Sequence, residues 1–150
     1  MIAPPPEGSG LLAALDIGTG TGILALRAAQ CGYRPVVALD NDPAAVEAAV
    51  GNVALNRMES GVHLLWGELP ALRSDGRFGL ILANLFLNPL LALAEEIARR
   101  LAANGLLIVS GIRVSDAPEL EGAFGVLGLE PRQRREDGGW VALCLARSAR

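Results

Sequence analysis

The residues best suited to chemistry form a glycine-rich stretch, 15–24, with glycines at positions 18, 20 and 22. An apolar segment precedes this stretch, and an Ala/Leu-rich segment with helical character follows it. Glycine lacks a Cβ, so Gly18 and Gly20 allow positive φ angles and let a ligand approach the main chain. The N–H groups that open the following helix point towards such a ligand. The arrangement therefore suits a nucleotide-like molecule held against the backbone.

The spacing of these residues distinguishes two classes of cofactor. A dinucleotide-binding loop needs a small residue five positions after its first glycine, and Ile23 occupies that position. The order Asp16, Gly18, Gly20, Gly22 instead resembles motif I of S-adenosylmethionine (SAM) methyltransferases. This resemblance implies SAM as the cofactor, with Gly18 and Gly20 close to its amino-acid part. An NAD(P) oxidoreductase is the least favoured interpretation.

Three carboxylates lie at or near the ends of apolar segments and are predicted to bind the cofactor. Asp40 can accept hydrogen bonds from both ribose hydroxyls, because Asp42 already serves as the cap of the next helix. Glu68 either accepts from the adenine amino group or is an exposed loop acid. Asp16 either holds the glycine loop or faces the cationic end of SAM through water.

Asn84 ends the apolar segment 78–84 and is the predicted catalytic residue as well as a cofactor contact. Its carbonyl oxygen can accept from a substrate amine and aim the nitrogen lone pair at the methyl group. Methyl transfer from a sulfonium needs little acid–base assistance, so positioning supplies most of the rate. The alternative is a structural asparagine that holds the next turn.

Strand-like and helix-like segments alternate along most of the chain, which predicts a parallel, doubly wound sheet. The predicted strands are 11–17, 35–40, 62–66, 78–84, 106–110, 129–135 and 140–146. The predicted helices are 22–31, 43–56, 89–103 and 116–127. The last two strands flank a Gly-Gly turn and predict an antiparallel hairpin. The expected fold class is α/β, a Rossmann-like seven-stranded, mostly parallel sheet with a C-terminal antiparallel hairpin, which resembles the SAM methyltransferase core.

The predicted site residues converge on one edge of this sheet. Ligands of open α/β sheets bind beyond the carboxyl ends of the strands, near the topological switch point. The glycine loop, Asp40, Glu68 and Asn84 all lie at the carboxyl ends of predicted strands. This convergence is stronger support for a cofactor site than any single motif.

Composition limits the remaining functions. The 150 residues suit one domain, 11–150, preceded by a Pro/Gly-rich tail, 1–10, which we expect to be mobile or extended. The net charge is −3 with acids and bases intermixed, so we expect no direct nucleic-acid binding. The arginines at positions 132, 134 and 135 are either a solvated strand face or a contact for RNA or an acidic partner.

Metal and membrane sites are not expected either. The chain has one histidine and two well-separated cysteines, so no metal-ligand cluster can be named. The longest apolar run, 79–94, contains Asn84, Asn88 and Pro89 and is too short to cross a bilayer. The first ten residues do not have the pattern of a signal peptide. We therefore expect a soluble, cytoplasmic protein.

With these residues in place, the chain resembles the catalytic domain of the PrmA-type methyltransferases, which modify ribosomal large-subunit protein eleven. The segments that carry the resemblance are 15–25, 38–46, 82–85, 88–90, 108–112 and 135–143. Its more specific parts are Ala83-Asn84-Leu85, Ser110-Gly111-Ile112 and the Gly-Trp-Val-Ala-Leu segment, 139–143. The resemblance implies SAM binding through Gly18, Asp40 and Asn84, and N-methylation of a protein substrate, most simply a ribosomal protein.

Three departures from the family pattern leave alternatives open. We expect the family's N-terminal substrate-recognition domain to be absent. Residues 1–10 do not match the family's Thr/His-rich segment just before the first strand, which helps to cover SAM. Gly79 stands where an acid commonly opens the fourth strand. We expect a catalytic-domain fragment, a truncated product or a reduced relative, with weak activity on ribosomal protein by itself. The alternatives are a SAM-binding domain with little activity and a small-molecule methyltransferase.

Overall fold

The computed structural model of the protein describes residues 1–8, 10, 12–72 and 76–148. Ser9 of the predicted tail, Leu11 at the predicted start of the first strand and of the domain, and residues 149–150 at the domain's end lie outside the described residues.

Within these ranges the chain forms one sheet of seven strands in the order β3-β2-β1-β4-β5-β7-β6. The strands are β1 (Ala14–Ile17), β2 (Val36–Asp40), β3 (Val62–Trp66), β4 (Phe78–Asn84), β5 (Leu101–Arg113), β6 (Leu129–Asp137) and β7 (Trp140–Arg147). The first five pair in parallel, whereas β7 pairs antiparallel with both β5 and β6. The predicted mostly parallel sheet with a C-terminal antiparallel hairpin is confirmed.

Four α-helices connect the strands within the described residues: α1 (Ile23–Gln30), α2 (Pro43–Leu55), α3 (Leu87–Arg100) and α4 (Ala117–Val126). The start of α2 follows the predicted capping pattern. The Asp42 carboxylate accepts from the N–H of Ala44 at 2.9 Å, and Pro43 occupies the first helical position. None of the described helices has both the length and the apolarity needed to cross a membrane.

The boundary between α3 and β5 differs from the prediction. The predicted helix, 89–103, ends in the structure at Arg100, and Leu101 already belongs to β5, where it pairs with Phe78 of β4. A Cβ on Gly105 would lie 2.9 Å from the carbonyl oxygen of Phe78, so the strands approach closely there. Helix propensities differ by only tenths of a kcal/mol per residue. Burial of Leu101 against the sheet therefore outweighs the helical preference of the alanine-rich sequence.

Helices cover both faces of the sheet. Side chains of α3 and α4 share one apolar cluster with Ile81 and Ala83 of β4. Side chains of α1 and α2 share a second cluster with Leu80 and Leu82, the alternate positions of the same strand. Met1 also packs against this second cluster, so the start of the tail is not free of the domain.

The strand order creates a switch point between β1 and β4. The chain proceeds from β1 to β2 and β3 on one side, then returns to place β4 on the other side of β1. Adjacent connections therefore leave the sheet in opposite directions above the carboxyl ends of β1 and β4. This is the position at which open α/β sheets form ligand clefts.

Candidate functional site

The glycine loop after β1 is tied to the end of β2 by backbone hydrogen bonds. The N–H groups of Gly18 and Thr19 both donate to the carbonyl oxygen of Leu39, at 2.9 and 3.0 Å. The loop then closes through the N–H of Gly22, which donates to the carbonyl oxygen of Thr19 at 2.9 Å. The φ angles of Gly18, Gly20 and Gly22 are +67°, +55° and +81°, a region that side-chain-bearing residues rarely adopt.

Each of the three glycines meets a different environment. A Cβ on Gly18 would lie 2.5 Å from Cδ2 of Leu85, and one on Gly22 would lie 3.2 Å from the Cβ of Ala49 in α2. A Cβ on Gly20 would meet no described heavy atom within 4 Å. Gly18 and Gly22 therefore permit close packing of the protein itself, whereas Gly20 faces open space that a ligand can enter.

Asp16 is buried and braces the loop. Its Oδ2 accepts from the hydroxyl of Thr19 at 2.6 Å and from the N–H of Ala25 in the first turn of α1 at 3.0 Å. Its Oδ1 is buried without a hydrogen-bond partner among the described residues. Burial raises the pKa of Asp16 from 3.8 to about 6; the bonds from Thr19 and Ala25 lower it, and the charge of Asp40 raises it. This geometry matches the loop-holding option of the two roles predicted for Asp16.

Asp40 connects the glycine loop to the start of α2. Its Oδ2 accepts from the N–H of Gly20 at 2.9 Å, and its Oδ1 accepts from the N–H of Asp42 at 3.0 Å. An ionised carboxylate offers about four acceptor positions. Half of the acceptor capacity of Asp40 therefore remains for hydroxyl groups of a ligand.

Gly18, Asp40 and Glu68 line one cavity of about 430 Å³. Its other walls are mostly apolar and come from the ends of β1 and β2, the segment after β3, the residue after β4, and α3: Ile17, Leu39, Asn41, Gly67, Leu69, Pro70, Leu85, Pro89, Ala92 and Leu93. A cavity of this size with apolar walls and a few polar groups is typical of small-molecule sites. The structure thus brings three of the predicted site residues together.

Glu68 is exposed at the rim of this cavity, where it is joined to Asn41. The side-chain Nδ2 of Asn41 donates to Oε1 of Glu68 at 3.3 Å. The indole N–H of Trp66 donates to the carbonyl oxygen of Asn41 at 3.1 Å. Asn41 was not predicted as a site residue, although its position directly after Asp40 is a signal that could have found it.

Asn84 lies outside the cavity and lines a neighbouring groove of about 530 Å³. Other walls of the groove come from β5 and the terminal hairpin: Ser110, Gly111, Arg135, Glu136, Asp137, Trp140, Val141 and Ala142. Leu85, the residue after Asn84, lines the cavity and covers Gly18. Consecutive residues at the end of β4 therefore line the groove and the cavity.

The arginine cluster on β6 is partly neutralised. The guanidinium of Arg134 pairs with Glu136 at 2.7 Å and with Glu121 at 2.9 Å, and Arg132 donates to the carbonyl oxygen of Arg147 at 2.9 Å.

Among the residues that the structure describes, no three His, Cys, Asp or Glu side chains come together as a metal site would require.

Comparison with known proteins places these features in a family. A family model described as ribosomal protein L11 methyltransferase (PrmA) matches residues 8–148. The chain is 42% identical over 138 residues to the ribosomal protein L11 methyltransferase of Pelobacter propionicus, covering 92% of this chain and 44% of that protein. It is 39% identical over 134 residues to the enzyme of the same name from Bradyrhizobium diazoefficiens, with 87% and 45% covered. The chain thus spans about half the length of these curated relatives.

Solved structures agree with this assignment. The crystal structure of ribosomal protein L11 methylase from Lactobacillus delbrueckii subsp. bulgaricus has a TM-score of 0.87 and 32% identity, covering 95% of this chain and 73% of that one. Precorrin-6y C5,15-methyltransferase from Geobacter metallireducens GS-15 has a TM-score of 0.78 at 16% identity, covering 92% and 80%, which shows the shared fold alone. The fold is that of SAM-dependent methyltransferases, and the chain belongs to the ribosomal protein L11 methyltransferase (PrmA) family.

Proposed function

We propose that this chain binds SAM and transfers its methyl group to a nitrogen atom of a ribosomal protein. The observation that carries the proposal is the cavity lined by Gly18, Asp40 and Glu68, together with the groove lined by Asn84, the residue before Leu85 of the cavity wall. One compartment suits a nucleoside, and the other is open to a substrate. The family membership supports the same reaction.

The donors and acceptors of the cavity fit SAM. The remaining acceptor positions of Asp40 suit the two ribose hydroxyls, and the exposed carboxylate of Glu68 suits the adenine amino group. The apolar walls suit the faces of the adenine ring. The open space in front of Gly20 suits the amino-acid part of SAM.

When bound, SAM supplies an electrophilic methyl group on a positively charged sulfur. The task left to this chain is to hold an amine in line with that methyl group, which can contribute a large part of the rate. Oδ1 of Asn84 accepts one hydrogen bond from Ser110 and keeps a second lone pair for an N–H of the substrate amine. In this proposal Asn84 also contacts the cofactor.

The proposed substrate is a protein, because two curated relatives at about 40% identity are ribosomal protein L11 methyltransferases. We also propose a cytoplasmic location, since ribosomal proteins are found in the cytoplasm. The proposal involves no metal and no direct contact with nucleic acid.

The test is methyl transfer from radiolabelled SAM to purified ribosomal protein L11, with the label located by mass spectrometry of peptides. We expect incorporation at amino groups of the ribosomal protein, and a loss of incorporation in Asn84→Ala with most of the SAM affinity retained. SAM binding with no incorporation would contradict the proposed transfer and favour a SAM-binding domain with little activity.

A further inference from the structure

The side chain of Asn84 is held in place from the neighbouring strand. Asn84 and Ser110 are register partners in the parallel pair β4–β5. The hydroxyl of Ser110 donates to Oδ1 of Asn84 at 3.1 Å. The carbonyl oxygen of Ser110 accepts from the N–H of Leu85 at 3.1 Å. One residue of β5 thus contacts both the side chain of Asn84 and the backbone that follows it.

The next residue of β5 leaves room for this arrangement. Gly111 has a φ of +83°, and a Cβ there would lie 2.6 Å from Oδ1 of Asn84 and 3.0 Å from the carbonyl oxygen of Leu85. Any side chain at this position would displace the amide. Ser110 and Gly111 therefore act together: the serine fixes the amide by a hydrogen bond, and the glycine permits its close approach.

We propose that Ser110 is a positioning residue for Asn84, an inference that rests on the proposed function. Asn84 is exposed, and without a partner its side chain would rotate about χ1 and χ2. The hydroxyl of Ser110 selects one orientation, which aims the second lone pair of Oδ1 into the groove where a substrate amine would lie. Misplacement of a reacting group by about 1 Å can lower a rate on the order of a hundredfold. Loss of the hydroxyl is therefore expected to reduce turnover without loosening the fold.

Two variants of nearly equal shape isolate the hydroxyl. Ser110→Thr retains the donor, and Ser110→Val replaces it with a methyl group; both keep the backbone bond to Leu85. We expect Ser110→Val to lower kcat by about tenfold or more, within the scale of misplacement effects. The kcat of Ser110→Thr should stay close to that of the protein without substitutions. SAM affinity and the thermal unfolding midpoint should be the same in both variants. Equal kcat for the two variants would overturn the inference.

A double-variant comparison tests whether Ser110 acts through Asn84. Effects of residues that share one interaction are not additive, whereas those of independent residues usually are. We therefore expect Ser110→Val to cause no further loss of kcat when Asn84 is already replaced by alanine. A full additional loss in the Asn84→Ala background would assign Ser110 a role independent of Asn84 and contradict the inference.

An NMR measurement separates failure of this inference from failure of the proposed function. In a chain labelled with 15N at asparagine, the side-chain amide signal of Asn84 is identified by its disappearance in Asn84→Asp. We expect this signal to move in Ser110→Val and to keep its position in Ser110→Thr. A signal unmoved in Ser110→Val would refute the positioning role. If the protein without substitutions transfers no methyl group, that result contradicts the proposed function instead.

Discussion

The two carboxylate oxygens of Asp40 accept hydrogen bonds from two backbone segments, one from Gly20 and one from Asp42. Its proposed role in binding SAM leads to a specific prediction. Replacement by alanine removes the acceptor for the N–H of Gly20 together with the proposed ribose contacts. We expect Asp40→Ala to weaken SAM binding by roughly 1–3 kcal/mol, the scale of hydrogen bonds to a charged acceptor. Calorimetric titration with SAM measures this change.

The neighbouring acid Asp42 provides the matched control for Asp40. Asp42 caps α2 through the N–H of Ala44 and does not line the cavity. Asp42→Ala should lower the free energy of unfolding by about 1 kcal/mol, as expected for a lost helix cap, with little change in SAM affinity. If both alanine variants weakened SAM binding equally, the assignment of Asp40 as a direct ligand would be wrong.

Asp16 makes the stability of the fold dependent on pH. Its folded-state pKa of about 6 lies above the unfolded value of 3.8, mainly because of burial. Between these two values the folded state holds the proton more tightly, so the Asp16 contribution to the free energy of unfolding falls as pH rises. At about 1.4 kcal/mol per pKa unit, the total is on the order of 3 kcal/mol.

Comparison with Asp16→Asn isolates this contribution. The stability of the unchanged chain relative to the variant should decrease between pH 4 and pH 6 and level off at about pH 7, as measured by chemical unfolding at each pH. A relative stability that rose with pH would mean that the bonds from Thr19 and Ala25 outweigh burial and stabilise Asp16 as the anion.

At the scale of elements, the glycine loop combines unusual backbone angles with space for a ligand. Gly20→Ala should cost roughly 1–2 kcal/mol of stability, because L residues are strained at positive φ. Its Cβ would also enter the open space in front of the loop. SAM affinity should then fall by about tenfold or more, which corresponds to roughly 1.4 kcal/mol.

Gly128, between α4 and β6, also has a positive φ angle but lies away from the cavity, so it provides a control for Gly20. Its φ is +77°, and a Cβ there meets no described heavy atom within 4 Å. Gly128→Ala should therefore show a similar loss of stability in thermal unfolding but an unchanged SAM affinity. Normal SAM binding by Gly20→Ala would show that the loop does not approach the ligand.

Sequence patterns suffice to predict the positions of Gly18, Asp40 and Asn84, because each lies at the carboxyl end of a buried strand. They do not predict the side-chain partners of these residues. The contact of Leu85 with Gly18 and the bond from Ser110 to Asn84 depend on which residues of adjacent strands lie side by side. Parallel strands buried on both faces read as continuous apolar runs, so alternation cannot reveal this register.

At the scale of the whole molecule, the strand order divides the site in two. The cavity lies over the ends of β1 and β2 and beside the segment after β3, whereas the groove lies over β4, β5 and the terminal hairpin. The alternation of strands and helices predicts a doubly wound, mostly parallel sheet with a terminal hairpin. It does not predict that Asn84 lines the groove while Leu85 lines the cavity, because that depends on the direction in which the chain leaves β4.

The most direct test of the account is a calorimetric titration of this chain with SAM and, separately, with NAD. Both ligands carry an adenosine. The comparison therefore tests whether the cavity lined by Gly18, Asp40 and Glu68 discriminates between the different groups attached to that adenosine. We predict that one SAM binds per chain and that NAD does not bind at the same concentrations. Binding of NAD with equal or higher affinity, or no binding of SAM by the folded chain, would contradict the central claim.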